Sequence, residues 1–168
     1  MPPRPELSHY RASNKITRIF ERSLECKSCE AFGYGVDVFL TEKDNVVPDA
    51  MIVCNKDIIK EKGVFGAPDL LVEVLSFSTA ASDRTYKKNL YERCGVKEYW
   101  IVDTANRTIE VYLLSNSKYE LDNIYTHHPD WWLETMKEED KAALVYEFKT
   151  HVCDGIIIDI RDVFEGIE

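Results

Sequence analysis

The chain reads as an α/β domain built on a mixed β-sheet, and three stretches carry that reading. Near the start, Ile16, Ile19, Phe20 and Leu24 recur at the spacing of one face of a helix. Residues 70–76, LLVEVLS, form a nearly continuous apolar run of the kind found in strands covered on both faces. A helix-coded stretch from Ser78 to Cys94 then leads into a second apolar strand, KEYWIVD. Helix, strands, helix and strands in that order argue for a mixed sheet flanked by helices rather than a doubly wound one.

The elements follow in order. The first helix is predicted from about Arg11 to Glu25, with Ser8 or Ser13 as its cap, which makes residues 1–10 a loose N-terminal segment. Val36, Val38 and Leu40 alternate with Asp37, Phe39 and Thr41 before a turn at 42–45, a hairpin signature whose second strand starts at Pro48. Residues 55–68 are polar with two glycines and read as a loop or short helical turn. After the 70–76 strand, Ser/Thr/Asp residues open a helix and Gly95 stands just past its end. KEYWIVD, RTIEVYLL and SKYELDNIYT form a meander, with turns at 104–106 and 116–117. A short helix at 137–143, a strand at 144–150 and a hydrophobic segment from Ile156 to Phe164 complete the chain.

At 168 residues, 45% hydrophobic and 30% charged, the composition fits one globular domain covering 1–168. No apolar run approaches the roughly 20 residues that span a bilayer, and the Pro-rich start lacks a secretory apolar region, so a cytoplasmic location is expected. Five cysteines, an odd number in scattered contexts, suit reduced thiols better than a disulfide framework. Cys26 and Cys29 make a lone CxxC, and without a second pair at zinc spacing they read as helix-end cysteines. A net charge of −9 counts against a general nucleic-acid binder, although a metal-bearing nuclease concentrates its positive charge at the cleft.

The candidate chemistry lies in carboxylates and one lysine. Glu73 stands inside LLVEVLS, where a carboxylate costs several kcal/mol unless it is paired, metal-bound or protonated. Asp49 heads the preceding strand. If the two strands are neighbours, both acids converge on one cation, in the manner of magnesium sites with one or two protein carboxylates and waters. Lys87 shares its helix face with Leu90, Tyr91 and Cys94, which point inward. On spacing alone an i, i+4 salt bridge with Asp83 is the favoured reading, with a catalytic ammonium as the other. His9 and Asp69 are secondary candidates. Asp69 leaves the same strand face as Glu73 but, following Pro68, more often serves to bind loop N–H groups. Ser76, Ser78 and Thr79 read as helix-entry residues. Trp100, Trp131 and Trp132 read as core or interface residues, and no nucleotide-binding glycine loop or HExxH motif occurs.

Three ordered motifs carry a family resemblance: PDAMIV at 48–53, APDLLVEVLSFST at 67–79 and DRTYKKNLYERCGVKEYWIVD at 83–103. They resemble the Uma-type family of restriction-endonuclease-like proteins, a branch of the PD-(D/E)XK nuclease superfamily, over about Pro5 to Phe164. The resemblance implies a restriction-endonuclease-like mixed central sheet that binds a divalent ion, Mg2+ or Mn2+. It implies Asp49 as the superfamily aspartate and Glu73 as the acid of the (D/E)XK element. The lysine two residues after that acid is replaced here by Leu75, and Lys87 on the following helix occupies the matching place. Before the first helix the chain offers only Glu6, and Phe77 stands where many relatives carry proline.

The expected function is therefore a Mg/Mn-dependent DNA endonuclease that hydrolyses phosphodiester bonds. Asp49, Glu73 and Lys87 are its catalytic residues, Asp49 and Glu73 its metal ligands, and a homodimer with no organic cofactor and no membrane partner its working form. The alternative, favoured by the acidity, is a nucleic-acid-binding or protein-interaction module that keeps the fold and cleaves little.

Overall fold

Alternation along the apolar run decides the architecture. In a computed structural model that describes residues 6–25 and 27–167, Leu70–Val74 is a strand buried along its whole length. Leu70, Val72 and Val74 face one hydrophobic cluster, and Leu71 faces another with Leu75 just beyond the strand. Period-2 geometry puts successive side chains on opposite faces, so a strand with layers on both sides must be apolar throughout.

That strand is third in a six-stranded sheet, whose order follows the chain: β1 (Glu30–Gly33), β2 (Ala50–Val53), β3 (Leu70–Val74), β4 (Glu98–Asp103), β5 (Thr108–Ser115) and β6 (Lys118–Thr126). Every pair is antiparallel except β3 with β4, which run parallel and are joined by a helical crossover. The sheet is mixed, as the sequence predicts.

Helix α1 (Leu7–Leu24) covers one face with Ala12, Ile16, Phe20 and Leu24, which meet Ile52, Leu70, Val72, Trp100 and the C-terminal Phe148, Ile158 and Phe164. It begins earlier than the expected Arg11, because nothing between Leu7 and Leu24 breaks a helix. Residues 7–10 are thus helical rather than loose. Glu6 holds the extended N-cap position without a side-chain cap bond, and both Ser8 and Ser13 lie inside the helix.

The crossover covers the other face and is not a uniform helix. Segment 80–94, here α2, consists of an α-turn at Ala80–Ser82, a π-turn at Asp83–Lys87 and an α-helix at Lys88–Cys94 closed by left-handed Gly95. Leu90 and Tyr91 pack on Leu71, Tyr99 and Ile101. Beside α2, the stretch expected to be a loop contributes short strands Ile59–Lys60 and Gly63–Phe65. With Val38–Phe39 and Asn45–Val46 these form a second, four-stranded sheet. The expected hairpin is therefore divided: its first strand belongs to this small sheet, whereas Ala50–Val53 pairs with β1 and β3 in the large one.

The cysteines differ from expectation. Cys29 and Cys54 are disulfide-bonded, because the register that pairs Glu30 with Val53 makes them cross-strand neighbours. Cys29 sits ahead of β1 rather than at a helix end, and Cys26 lies outside the described residues. Trp100 is core as predicted, while Trp131 is exposed on the short helix Asp130–Leu133.

Candidate active site

The register of β2 on β3 builds the site. Ala50 pairs with Val72, so Asp49, one residue ahead of β2, falls alongside Glu73. The backbone fixes this: Asp49 N–H donates to the Val72 carbonyl at 3.1 Å, and Asp49 Oδ2 accepts from the Val74 N–H at 2.7 Å. The proviso that the two strands be neighbours is met.

A cleft of about 280 Å3 opens over this pair, lined by residues that include His9, Asp49, Glu73 and Lys87. Because α1 starts at Leu7, His9 sits in its first turn rather than ahead of it, and its Nε2 approaches Asp49 Oδ2 to 3.3 Å. Burial opposes protonation of His9, but Asp49 and Glu73 together raise its pKa above the usual value.

Glu73 is almost fully enclosed, with 3% of its surface exposed. Its Oε2 accepts from Lys87 Nζ at 2.9 Å and its Oε1 from the Tyr91 hydroxyl at 2.5 Å. Burial pushes its carboxyl up to about 7; Lys87 opposes the shift and the Asp49 charge adds to it. Tyr91 is pushed far above its ordinary range by burial and by the Glu73 charge.

Lys87 reaches this position from the end of the π-turn. The wider i→i+5 winding is a local irregularity seen often at functional sites, and it carries Asp83 and Lys87 together. Lys87 Nζ lies 2.9 Å from Asp83 Oδ1 as well as from Glu73 Oε2. The Asp83 contact is an ion pair at poor hydrogen-bond angles, so neither Asp83 oxygen, both fully buried, makes a hydrogen bond. Burial lowers the pKa of the ammonium, but Glu73 and Asp83 more than offset this and hold it above the usual lysine value. The two readings of Lys87 are thus not exclusive: it pairs with Asp83 and still points into the cleft.

The entry to α2 forms one wall. The Ser76 carbonyl accepts from the N–H groups of Thr79 and Ala80, while Ser76 and Thr79 hydroxyls bond each other at 3.0 Å. Tyr34 and Phe77 stand at the rim, with Phe77 93% exposed.

Asp69 is not part of this group. Four residues back along the same strand face, its Oδ2 accepts from the Cys54 N–H at 2.7 Å and its Oδ1 pairs with Lys97 at 2.7 Å, which is the loop-binding role predicted for an acid after proline. Sequence reasoning placed Tyr91 on the inward helix face it shares with Lys87 but gave its hydroxyl no role at Glu73. It also gave Glu6, which lines the cleft, no place in the site. The π-turn has no signal in the sequence.

A solved structure shares this mixed sheet with helices on its faces. That structure, described as "a putative nuclease belonging to DUF820" from Anabaena variabilis, superposes with a TM-score of 0.69. It covers 99% of this chain and 85% of its own at 16% identity, a likeness of fold. The chain belongs to the Uma2 family, described as "putative restriction endonuclease", whose model matches residues 1–140. No curated protein matches it in sequence. No helix among the described residues is long and apolar enough to cross a membrane.

Proposed function

We propose that the protein is a Mg2+- or Mn2+-dependent nuclease hydrolysing DNA phosphodiester bonds, in which Asp49 and Glu73 hold the cation and Lys87 is the catalytic ammonium. The observation that carries this reading is the adjacency of Asp49 and Glu73 at the floor of a cleft, with Lys87 Nζ 2.9 Å from Glu73.

The residues fit a hard divalent cation. Two carboxylates offer the oxygen donors such ions take, and the cleft leaves room for their waters. Burial pushes the Glu73 carboxyl up even with the Lys87 ammonium opposing the shift, so a further positive charge beside it would favour its ionised form. A bound divalent ion would supply that charge, polarise the phosphate and lower the pKa of a coordinated water.

The chain's own groups have separable tasks. Asp49 is held by the Val74 N–H and flanked by His9, which fixes the orientation of its carboxylate. Tyr91 holds one oxygen of Glu73 from inside the core, which leaves the other to exchange between Lys87 and a ligand. Asp83 keeps Lys87 charged and positioned, so that its ammonium can offset charge developing on a phosphate. Exposed Phe77 and Tyr34 at the rim offer faces on which unstacked bases can rest.

The test is calorimetric titration with Mn2+. Glu73→Gln and Asp49→Asn should each weaken binding at least about tenfold while circular dichroism stays unchanged. Wild-type affinity in both variants removes the metal assignment. The net charge of −9 favours the other reading, a binding module that cleaves little; metal-dependent nicking of supercoiled plasmid by the wild-type protein decides against it.

A further inference from the structure

Three cysteines far apart in sequence meet at the opposite end of the sheet. Cys29 precedes β1 and Cys54 follows β2, on neighbouring antiparallel strands. The turn between strands Glu147–Lys149 and Ile157–Asp159 delivers Cys153 onto them, with its Sγ 3.0 Å from that of Cys54. The three sulfurs lie within 4.8 Å of one another.

The turn that presents Cys153 is itself unusual. Cys153, Asp154 and Gly155 follow one another with φ of 54°, 60° and 78°, and left-handed backbone is uncommon for the first two residue types in succession. Thr150 Oγ1 holds the loop, donating to the Val152 carbonyl and accepting from the Ile156 N–H, both at 2.8 Å. Lys27 Nζ donates to the Cys153 carbonyl at 3.1 Å. A disulfide between Cys29 and Cys54 needs none of this, because register alone supplies their contact.

We propose that in the reduced protein Cys29, Cys54 and Cys153 bind a thiophilic divalent cation of the zinc class, with water completing the coordination. Zinc takes thiolates at about 2.3 Å in a tetrahedron, which spaces the sulfurs roughly 3.8 Å apart, within the compass of this cluster. The set is invisible to motif reading because the fold, not the sequence, brings Cys54 and Cys153 to Cys29. The site would fasten the 150–156 turn to the start of β1 and the end of β2, coupling metal binding to stability.

The experiment uses the full chain, reduced without oxygen by a phosphine. One disulfide, one phosphine and one water give two thiols and the phosphine oxide. The stripped protein is titrated with Co2+, followed by Zn2+. Expected are a thiolate-to-cobalt charge-transfer band in the near ultraviolet, tetrahedral cobalt bands in the red, and their loss as zinc displaces cobalt. Cys153→Ser should lose most of the charge-transfer intensity and weaken zinc binding at least about tenfold, while Glu73→Gln should change neither. Zinc should also raise the melting temperature of the reduced wild-type protein. A folded wild-type protein without the charge-transfer band, or a Cys153→Ser variant that keeps all of it, overturns the proposal.

Discussion

The two ends of the β3–β4 pair both bury acids, and they treat them differently. At one end, Asp69 accepts from the Cys54 N–H and Lys97, and Glu98 accepts from the Trp100 indole at 2.8 Å and the His151 N–H at 2.7 Å. At the other, the donors to Glu73 are the tips of Lys87 and Tyr91, and Asp49 shares its carboxylate between a backbone N–H and His9. Burial raises the pKa of Glu98 as it does that of Glu73, so a displaced pKa does not separate structure from chemistry. What separates them is the donor. Apart from the exposed Lys97, the donors at the first end are backbone and indole N–H groups fixed by the fold, whereas beside the Val74 N–H the second end presents an ammonium, a phenol and an imidazole at a cleft, which can be exchanged for a ligand.

The largest expected effect follows from removing the exchangeable cation. Lys87→Met should lower metal-dependent plasmid nicking by about a thousandfold or to background, with Mn2+ binding retained. Some stability should go with it, since Asp83 is left buried without its partner. Wild-type nicking in a folded Lys87→Met protein would reduce Lys87 to a structural ion pair and make the two ends equivalent.

A second effect is thermodynamic. The Glu73 carboxyl has an ordinary value of 4.5 and is held up to about 7 by burial, opposed by Lys87 and aided by Asp49. Between those values the folded state binds more protons than the unfolded one, so stability falls as pH rises through that window. His9, also raised, contributes stability below its ordinary 6.5 that is lost as pH rises through its folded value. Melting temperature at low ionic strength should therefore decline from pH 4.5 to about 7. Glu73→Gln should remove a large part of the decline and leave the parts due to His9 and to Glu98, whose carboxyl burial also raises. Added Mn2+ should flatten the wild-type curve at its upper end. An identical slope in Glu73→Gln would place the excess proton elsewhere.

Much of the carboxylate end was legible in the sequence, because an acid inside an apolar run is costly and so announces itself. Strand order sets Asp49 beside Glu73 once adjacency of the strands is granted, whereas spacing alone reads Lys87 as an ion pair with Asp83 and only the family resemblance makes it a catalytic candidate. His9 was placed outside its helix because the expected start rested on Ser8 or Ser13 as a cap, whereas α1 begins at Leu7 with no side-chain cap at all. Tyr91 read as core, and it is core; its hydroxyl on Glu73 is a property of packing. The sulfur cluster was unreadable for a different reason. Its members come from residues 29, 54 and 153, so only register and a left-handed turn bring them together. The small sheet escaped notice because its strands are two or three residues long, too short for a period to show.

The smallest effect is expected at the acid most easily confused with a ligand. Asp69 shares its strand face with Glu73, yet Asp69→Asn should leave Mn2+ affinity and nicking within about twofold of wild type. The asparagine carbonyl can still accept from the Cys54 N–H, and the lost partner, Lys97, is 68% exposed, so stability should change by about 0.5 kcal/mol or less. The trace it should leave is at its own end of the sheet, at Cys153. Burial is the larger cause of the raised Cys153 pKa and the Asp69 charge the next, so the substitution should ease the ionisation of that thiol, read as faster alkylation at fixed pH. Loss of Mn2+ affinity as large as in Asp49→Asn would instead make Asp69 a ligand, and the division of the sheet into a fixed end and an exchangeable end would fail.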